Sequence, residues 1–488
     1  MFNLGVRCVQ STKIQVDTVL FTLVKLRNYV SFKTAARCLS VNTNIQRRFY
    51  SNNTMLNLKD FCISDYDVIG FDLDGTLLRY NLNNMVPLEY ELLVKYLMEK
   101  KYPRVLLDKQ FDSDFIQKGL IVDAERGNLI KLAADGEILK ATHGTRFLSS
   151  AEIEDVYGKS RKWDIAQDYI NDPLSAWNGP VSEKLRTLLD YFDIAASLVF
   201  AQAVDALDET VYTNTNVLQK NDYKVWPDIL SGLIQMYSRD HFASGTSAYF
   251  EALKQNPEKY LLKTDQQVIQ LLRELRSSGK ALYLLTGSNI DFANFTASYA
   301  LGPNWRDLFN CVVSFAKKPG FFFMQRSFLQ NNNLSEVPNS EMPLQDDLLA
   351  KGKSFSQGNW EQLNESLCKH VLRKDVNKTS RSLYVGDNLI QDVYAPYTKA
   401  SMDAIAISEE MFENKSSYEY YKIIQSSSWG SYFNLNGRPT LWFSVIENYS
   451  KLCISQMDVI ANVPVKEKIQ CGNQHGFFPN VPNGQLVQ

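Results

Sequence analysis

The chain has 488 residues, 45% hydrophobic and 22% charged, which gives room for two or three domains or one domain with a large insertion, and excludes a wholly disordered chain, a collagen and a polytopic membrane protein. A formal net charge of -2 excludes recruitment of nucleic acid by a global basic field, so no nucleic-acid partner is expected. Seven cysteines without a Cys-x-x-Cys pair argue against a zinc ribbon or disulfide framework, and four histidines without ligand spacing leave oxygen atoms as the ligands of any metal.

In chain order, residues 1–54 carry Arg7, Lys13, Lys25, Arg27, Lys33, Arg37, Arg47 and Arg48 against one acid, Asp17. An Arg-rich, acid-poor leader ending in Arg47-Arg48-Phe49-Tyr50-Ser51 reads as a mitochondrial transit peptide, with a disordered leader and a cytoplasmic chain translated from Met55 as the alternative. Residues 16–30 are too short and too charged to cross a bilayer, so no membrane span is expected.

Residues 68–71, Val-Ile-Gly-Phe, have the uninterrupted apolar character of a buried parallel strand, and they run into Asp72-Leu73-Asp74-Gly75-Thr76. A region of mixed character follows to about residue 257. Within it, residues 131–139 predict a hairpin around Asp135-Gly136, and residues 192–207 and 228–237 predict helices. Asp265 is placed to cap a helix whose apolar face is Val268, Leu271, Leu272 and Leu275, with Gly279 as its stop. Further buried strands are predicted at 281–285, 311–314, 383–385 and 404–407. Residues 327–359, rich in Asn, Ser and Pro, read as a long surface loop, and the tail beyond 470 as a surface segment. Helical segments between these strands imply right-handed crossovers, a parallel sheet and an α/β fold.

Asp72, Thr286 and Asp387 each stand at the end of a predicted strand, or one residue beyond it. Open α/β sheets bind ligands at the carboxyl ends of their strands, so these three groups are expected at one edge. Asp72 and Asp74, two residues apart, can face the same site, with Gly75 allowing the tight exit. Like charges destabilise one another, and a divalent cation is the simplest reason to gather them. With Asp387 they would make an all-oxygen shell suited to magnesium.

Asp72-Leu73-Asp74-Gly75-Thr76 resembles the D-x-D-G-T signature of the haloacid-dehalogenase-like (HAD) phosphotransferases. The other parts of that pattern follow in order: Thr286, a lysine at Lys317 or Lys318, and Gly386-Asp387-Asn388-Leu389-Ile390-Gln391-Asp392. The resemblance implies two-step phosphoryl transfer. Asp72 would be the nucleophile and Asp74 the general acid and base, while Thr286 would bind the phosphoryl group and the lysine neutralise it. Mg2+ would be bound by Asp72, Asp387 and the backbone carbonyl of Asp74. A narrower likeness, to the cytosolic purine 5'-nucleotidase family, lies in Phe315-Ala316-Lys317-Lys318-Pro319-Gly320-Phe321-Phe322, in residues 126–132 and in His143-Gly144-Thr145. By its place before Pro319, Lys318 matches that family's catalytic lysine. The Arg, Asp and His with which purine nucleotidases hold a nucleotide align here with Leu230, Ile234 and Tyr237. His143 reads as a hydrogen-bonded structural histidine, and Phe321-Phe322-Phe323 as packing.

The expected organisation is a leader (1–54), a Rossmann-like HAD core (64–80 with 263–408), a large α+β cap (86–262) inserted between the first and second motifs, and a C-terminal appendage (409–488). The expected activity is Mg2+-dependent hydrolysis of a small phosphomonoester, a nucleoside 5'-monophosphate first among them. The competing expectation is a catalytically weak binding or scaffold protein.

Overall fold

The computed structural model describes residues 60–178, 181–213, 223–341, 349, 354–374, 380–412, 423–470 and 477–479. The predicted leader and most of the predicted tail lie outside these. Val68–Phe71 forms the first strand of the main sheet (β1), with all four residues buried. After it the chain builds a long inserted segment. This contains helix Leu82–Glu99 (α1), strands Ile121–Asp123 (β2), Asn128–Leu132 (β3), Ile138–His143 (β4), Arg146–Phe147 (β5) and Leu185–Thr187 (β6), and helices Ala195–Thr213 (α2) and Val225–Met236 (α3). The five strands form an antiparallel sheet in the order β5-β4-β3-β2-β6. The predicted Asp-Gly hairpin is the β3–β4 pair, with Gly136 at a φ of 81°.

The main sheet resumes after helix Gln266–Ser277 (α4). The Asp265 carboxylate accepts from the Gln267 N–H at 2.8 Å, and Val268, Leu271, Leu272 and Leu275 are buried, as their spacing predicts. Ala281–Leu285 (β7), helix Ile290–Leu301 (α5) and Cys311–Ser314 (β8) follow. Phe328–Asn332 (β9), Ser335–Glu336 (β10), Ser354–Gln357 (β11), Ser382–Gly386 (β12), Asp403–Ile407 (β13) and Leu452–Ile454 (β14) complete the sheet. Its order is β10-β9-β11-β8-β7-β1-β12-β13-β14, nine strands among the described residues. From β11 through β14 all neighbours are parallel, and β9 pairs antiparallel with β10 and β11. The central strands are covered on both faces, which is why they read as unbroken apolar runs.

The predicted surface loop at 327–359 is a correction: it contains β9, β10 and β11. In β9, Phe-Leu-Gln-Asn-Asn, Phe328 is the one fully buried residue. Its ladder bonds to β10 and β11, rather than an alternating apolar face, hold it. Asn333 and Leu334, both at positive φ, make the tight turn into β10. The chain beyond Ser408 returns to the same sheet, where β14 pairs with β13. No helix among the described residues is long and apolar enough to cross a membrane.

Candidate active site

β1 is flanked by β7 and β12, with Phe71 opposite both Leu284 and Val385. This register brings the first residues beyond three carboxyl ends, Asp72, Thr286 and Asp387, to one edge. Asp72 is 7% exposed. Its Oδ1 accepts from the Leu73 N–H at 2.8 Å and pairs with the Lys318 Nζ at 2.9 Å. With one oxygen so anchored, Oδ2 is the atom open to an electrophile or a cation.

Of the two candidate lysines, the structure brings Lys318 to the site. It is buried between Asp72 and Asp392, with Nζ 2.7 Å from the Asp392 Oδ1. Lys317 is exposed and lies over the Phe315 ring, 3.6 Å from its centroid. Phe315 and Lys317 both have positive φ, which turns the chain sharply between β8 and Pro319. Burial works to lower the Lys318 pKa, but Asp392 and Asp72 outweigh it and hold the ammonium protonated.

Asp392 was not assigned a role from the sequence. The Asn388 side chain caps the helical turn Leu389–Tyr394 by accepting from the Ile390 and Gln391 N–H groups. That turn carries Asp392 back to the strand end. Gly386 makes room, since a Cβ there would lie 2.4 Å from the Asp392 Cβ. The second oxygen of Asp392 accepts from the Asn388 N–H at 3.1 Å. Burial pushes this carboxyl up, yet with Lys318 on one oxygen and an N–H on the other, the ionised pair is the form the geometry supports. The readable signal was the five-residue step from Asp387 across an Asn cap.

Asp72, Asp387 and Asp392 place one carboxylate oxygen each within 4.8 Å of one another. Both oxygens of Asp392 are engaged. Asp387 is different: it is 6% exposed and has no hydrogen bond or ion pair among the described residues. Burial, then the charges of Asp190, Asp72 and Asp392, push its pKa well up, with Lys118 opposing. Gly75, at a φ of 75°, passes so close that a Cβ there would lie 2.5 Å from the Asp387 Oδ2. A buried, orphaned carboxylate beside a second one with an open oxygen fits a hard divalent cation.

The Asp74 side chain turns to another neighbourhood. Its Oδ1 accepts from the Tyr80 hydroxyl at 2.7 Å, and its Oδ2 accepts from the Ser288 hydroxyl at 2.8 Å and from Thr286 at 3.3 Å. Burial, with Asp72 next, pushes the Asp74 pKa up to about 6, against the lowering effect of Tyr80 and Ser288. A carboxyl so poised can give and take a proton near neutral pH. Thr286 is fully buried, and its Oγ also accepts from the Ser288 N–H at 3.0 Å.

Ser288 also lines a cavity of about 360 Å³ whose wall is mostly aromatic: Phe192, Tyr237, Phe242, Tyr249, Phe250, Phe292 and Phe315, with Arg239, Asn289 and Asp291. Of the three positions aligned with the nucleotide-holding residues, one faces this cavity. Tyr237 lines the cavity, but Leu230 and Ile234 do not, and Ile234 is 63% exposed. The aromatic wall comes from four separate segments, and no single stretch of sequence announces it. His143, on β4, is bonded to Asp208 and Tyr223 and does not line this cavity.

A family model described as "5' nucleotidase family" matches residues 52–416. The chain is 31% identical over 465 residues to the human 5'-nucleotidase domain-containing protein 1, covering 86% of this chain and 96% of that one. Against the Bos taurus protein of the same name it is 32% identical over 462 residues, with the same coverage. It is 26% identical over 348 residues to the Rattus norvegicus 5'-nucleotidase domain-containing protein 2, covering 70% of this chain and 56% of that one.

Proposed function

Because this chain belongs to the 5' nucleotidase family, we propose that it hydrolyses phosphomonoesters, with nucleoside 5'-monophosphates as the leading substrates. The observation that carries this reading is the division of labour at the strand ends. Asp72 has one anchored and one open oxygen, while Asp74 is raised to about 6 in a separate hydrogen-bonded niche. In the proposed reaction the open oxygen of Asp72 attacks phosphorus. The bond to the leaving oxygen breaks, and its electron pair departs with that oxygen, which takes the Asp74 proton. Water then attacks phosphorus, Asp74 accepts its proton, and Asp72 is freed as inorganic phosphate leaves. Lys318 pairs with Asp72 and offsets charge on the transferring group. The Thr286 hydroxyl exchanges Asp74 for a phosphoryl oxygen. Asp72, Asp387 and the Asp74 main-chain carbonyl would hold a divalent cation, proposed as Mg2+, which would supply positive charge for the phosphoryl oxygens.

The aromatic cavity beside Ser288 supports a flat, partly apolar leaving group such as a nucleoside. In this reading the core is HAD-like, spanning 64–80 and 263–408. The inserted segment (86–262) acts as a cap that selects the leaving group, and residues 409–488 form an appendage that adds β14 to the main sheet. The leader is proposed as a mitochondrial address. The test is phosphate release from a panel of alkyl, aryl and nucleoside monophosphates, with and without Mg2+, alongside Asp72→Asn. Mg2+-dependent release that the substitution abolishes supports the reading. Wild-type protein that releases phosphate from none of them would favour a binding or scaffold role instead.

A further inference from the structure

The inserted segment brings a second buried cation toward the edge where the catalytic carboxylates gather. Lys118 is 3% exposed, yet among the described residues its ammonium makes no hydrogen bond, and its ion-pair partner Glu410 lies at 3.6 Å. The Nζ stands 4.7 Å from the centroid of the Tyr191 ring, and the Tyr191 hydroxyl donates to the Glu410 Oε1 at 2.8 Å. Ser408 donates to the other Glu410 oxygen. Glu410 lies just past β13, whose neighbour β12 leads into Asp387.

Phe192, the next residue after Tyr191, reaches the site. Phe192 lines the aromatic cavity and packs edge-on against Tyr80, with centroids 5.0 Å apart, and the Tyr80 hydroxyl holds Asp74. Asp190 has its pKa raised, first by burial, with Lys118 opposing and Asp72 adding to the rise. Burying an ammonium with one distant partner is unfavourable unless other charges repay it. Burial works to lower the Lys118 pKa, but Glu410, Asp387, Asp190 and Glu409 together raise it above the ordinary value.

We propose that Lys118 is a positioning residue of the phosphoryl-transfer site, a cap-borne cation whose charge, trimmed by Glu410, offsets the carboxylates around Asp387 and admits a dianionic phosphomonoester. This rests on the hydrolase reading above. Its signature is electrostatic sign. Removing the positive charge and removing its negative partner must push the site in opposite directions, whereas loss of a merely structural ion pair acts in one direction.

The test uses the full chain carrying Lys118→Met, Glu410→Gln or Lys118→Arg. Two quantities are read: KM for one phosphomonoester at saturating Mg2+, and the Mg2+ midpoint from thermal-shift titration without substrate. Lys118→Met should raise KM roughly tenfold and move the Mg2+ midpoint to lower concentration. Glu410→Gln should lower KM and move the midpoint to higher concentration, and Lys118→Arg should stay near wild type. Shifts of the same sign in both neutral variants, or a change in melting temperature alone, would overturn the proposal. If Lys118→Met does not fold, Glu410→Gln decides by itself, because an unchanged or raised KM contradicts it. Should the wild type prove inactive on every phosphomonoester, the hydrolase reading fails first, and the Mg2+ arm still judges the charge coupling.

Discussion

Asp74→Asn removes a proton donor while keeping nearly the same shape, so its effect reports chemistry more than packing. In the folded protein the Asp74 pKa is about 6, above an ordinary value of 3.8. Without metal, roughly one molecule in ten at pH 7 therefore holds the proton the leaving oxygen needs. A general acid is worth about 10²-fold to 10⁴-fold, and an alkyl phosphate should lose that factor in the variant. An aryl phosphate, whose leaving group departs with little protonation, should lose much less. The wild-type rate on the alkyl substrate should also fall as pH rises through the titration of Asp74, while the variant shows no such limb. The assay is the ratio of rates on an alkyl and an aryl phosphate from pH 5 to 8, wild type against variant. Equal slowing of both substrates would refute Asp74 as the acid for leaving-group departure. Stability gives an independent check. A raised carboxyl favours the folded state fully below 3.8, and that advantage is lost as pH rises through about 6. Measured without metal, Asp74→Asn should thus match the wild type at pH 4 and exceed it at pH 7 by up to about 3 kcal/mol. A wild type that remains the more stable at pH 7 would contradict the assigned pKa.

The Ser288 hydroxyl lowers the Asp74 pKa, so Ser288→Ala should move the alkaline limb of the alkyl-phosphate profile to higher pH, and an unmoved limb would show that this bond does not tune the acid. Asp392→Asn should slow turnover about tenfold to 100-fold by loosening Lys318, yet leave the Mg2+ midpoint within about threefold, because both Asp392 oxygens already have partners. A large loss of Mg2+ affinity would make Asp392 a direct ligand. The proposed address predicts that residues 1–53 carry a fused reporter into mitochondria, and that a chain starting at Met55 keeps full activity. A diffuse cytosolic reporter would refute the address.

Local signals carried the central strands and the first layer of the site. Residues 68–71, 281–285 and 311–314 are strands with the predicted limits, because a strand buried on both faces must be an unbroken apolar run. Once three such runs are parallel neighbours, the residues that follow them meet at one edge. The placement of Asp72, Thr286 and Asp387 was therefore written in the pattern. Asp265 and the Asp-Gly hairpin were legible for the same reason, since caps and tight turns are decided within a few residues. Strand β9 was not legible, because ladder bonds to β10 and β11 hold it, with little apolar alternation of its own. The partners of Asp74 come from residues 80, 286 and 288, and the cavity wall from positions between 192 and 315. Lys118 meets Glu410 across nearly 300 residues of chain. Desolvation and charge depend on distance in space, so which carboxyl stays open, which has its pKa raised and which cation lies near them were decided by the tertiary fold alone.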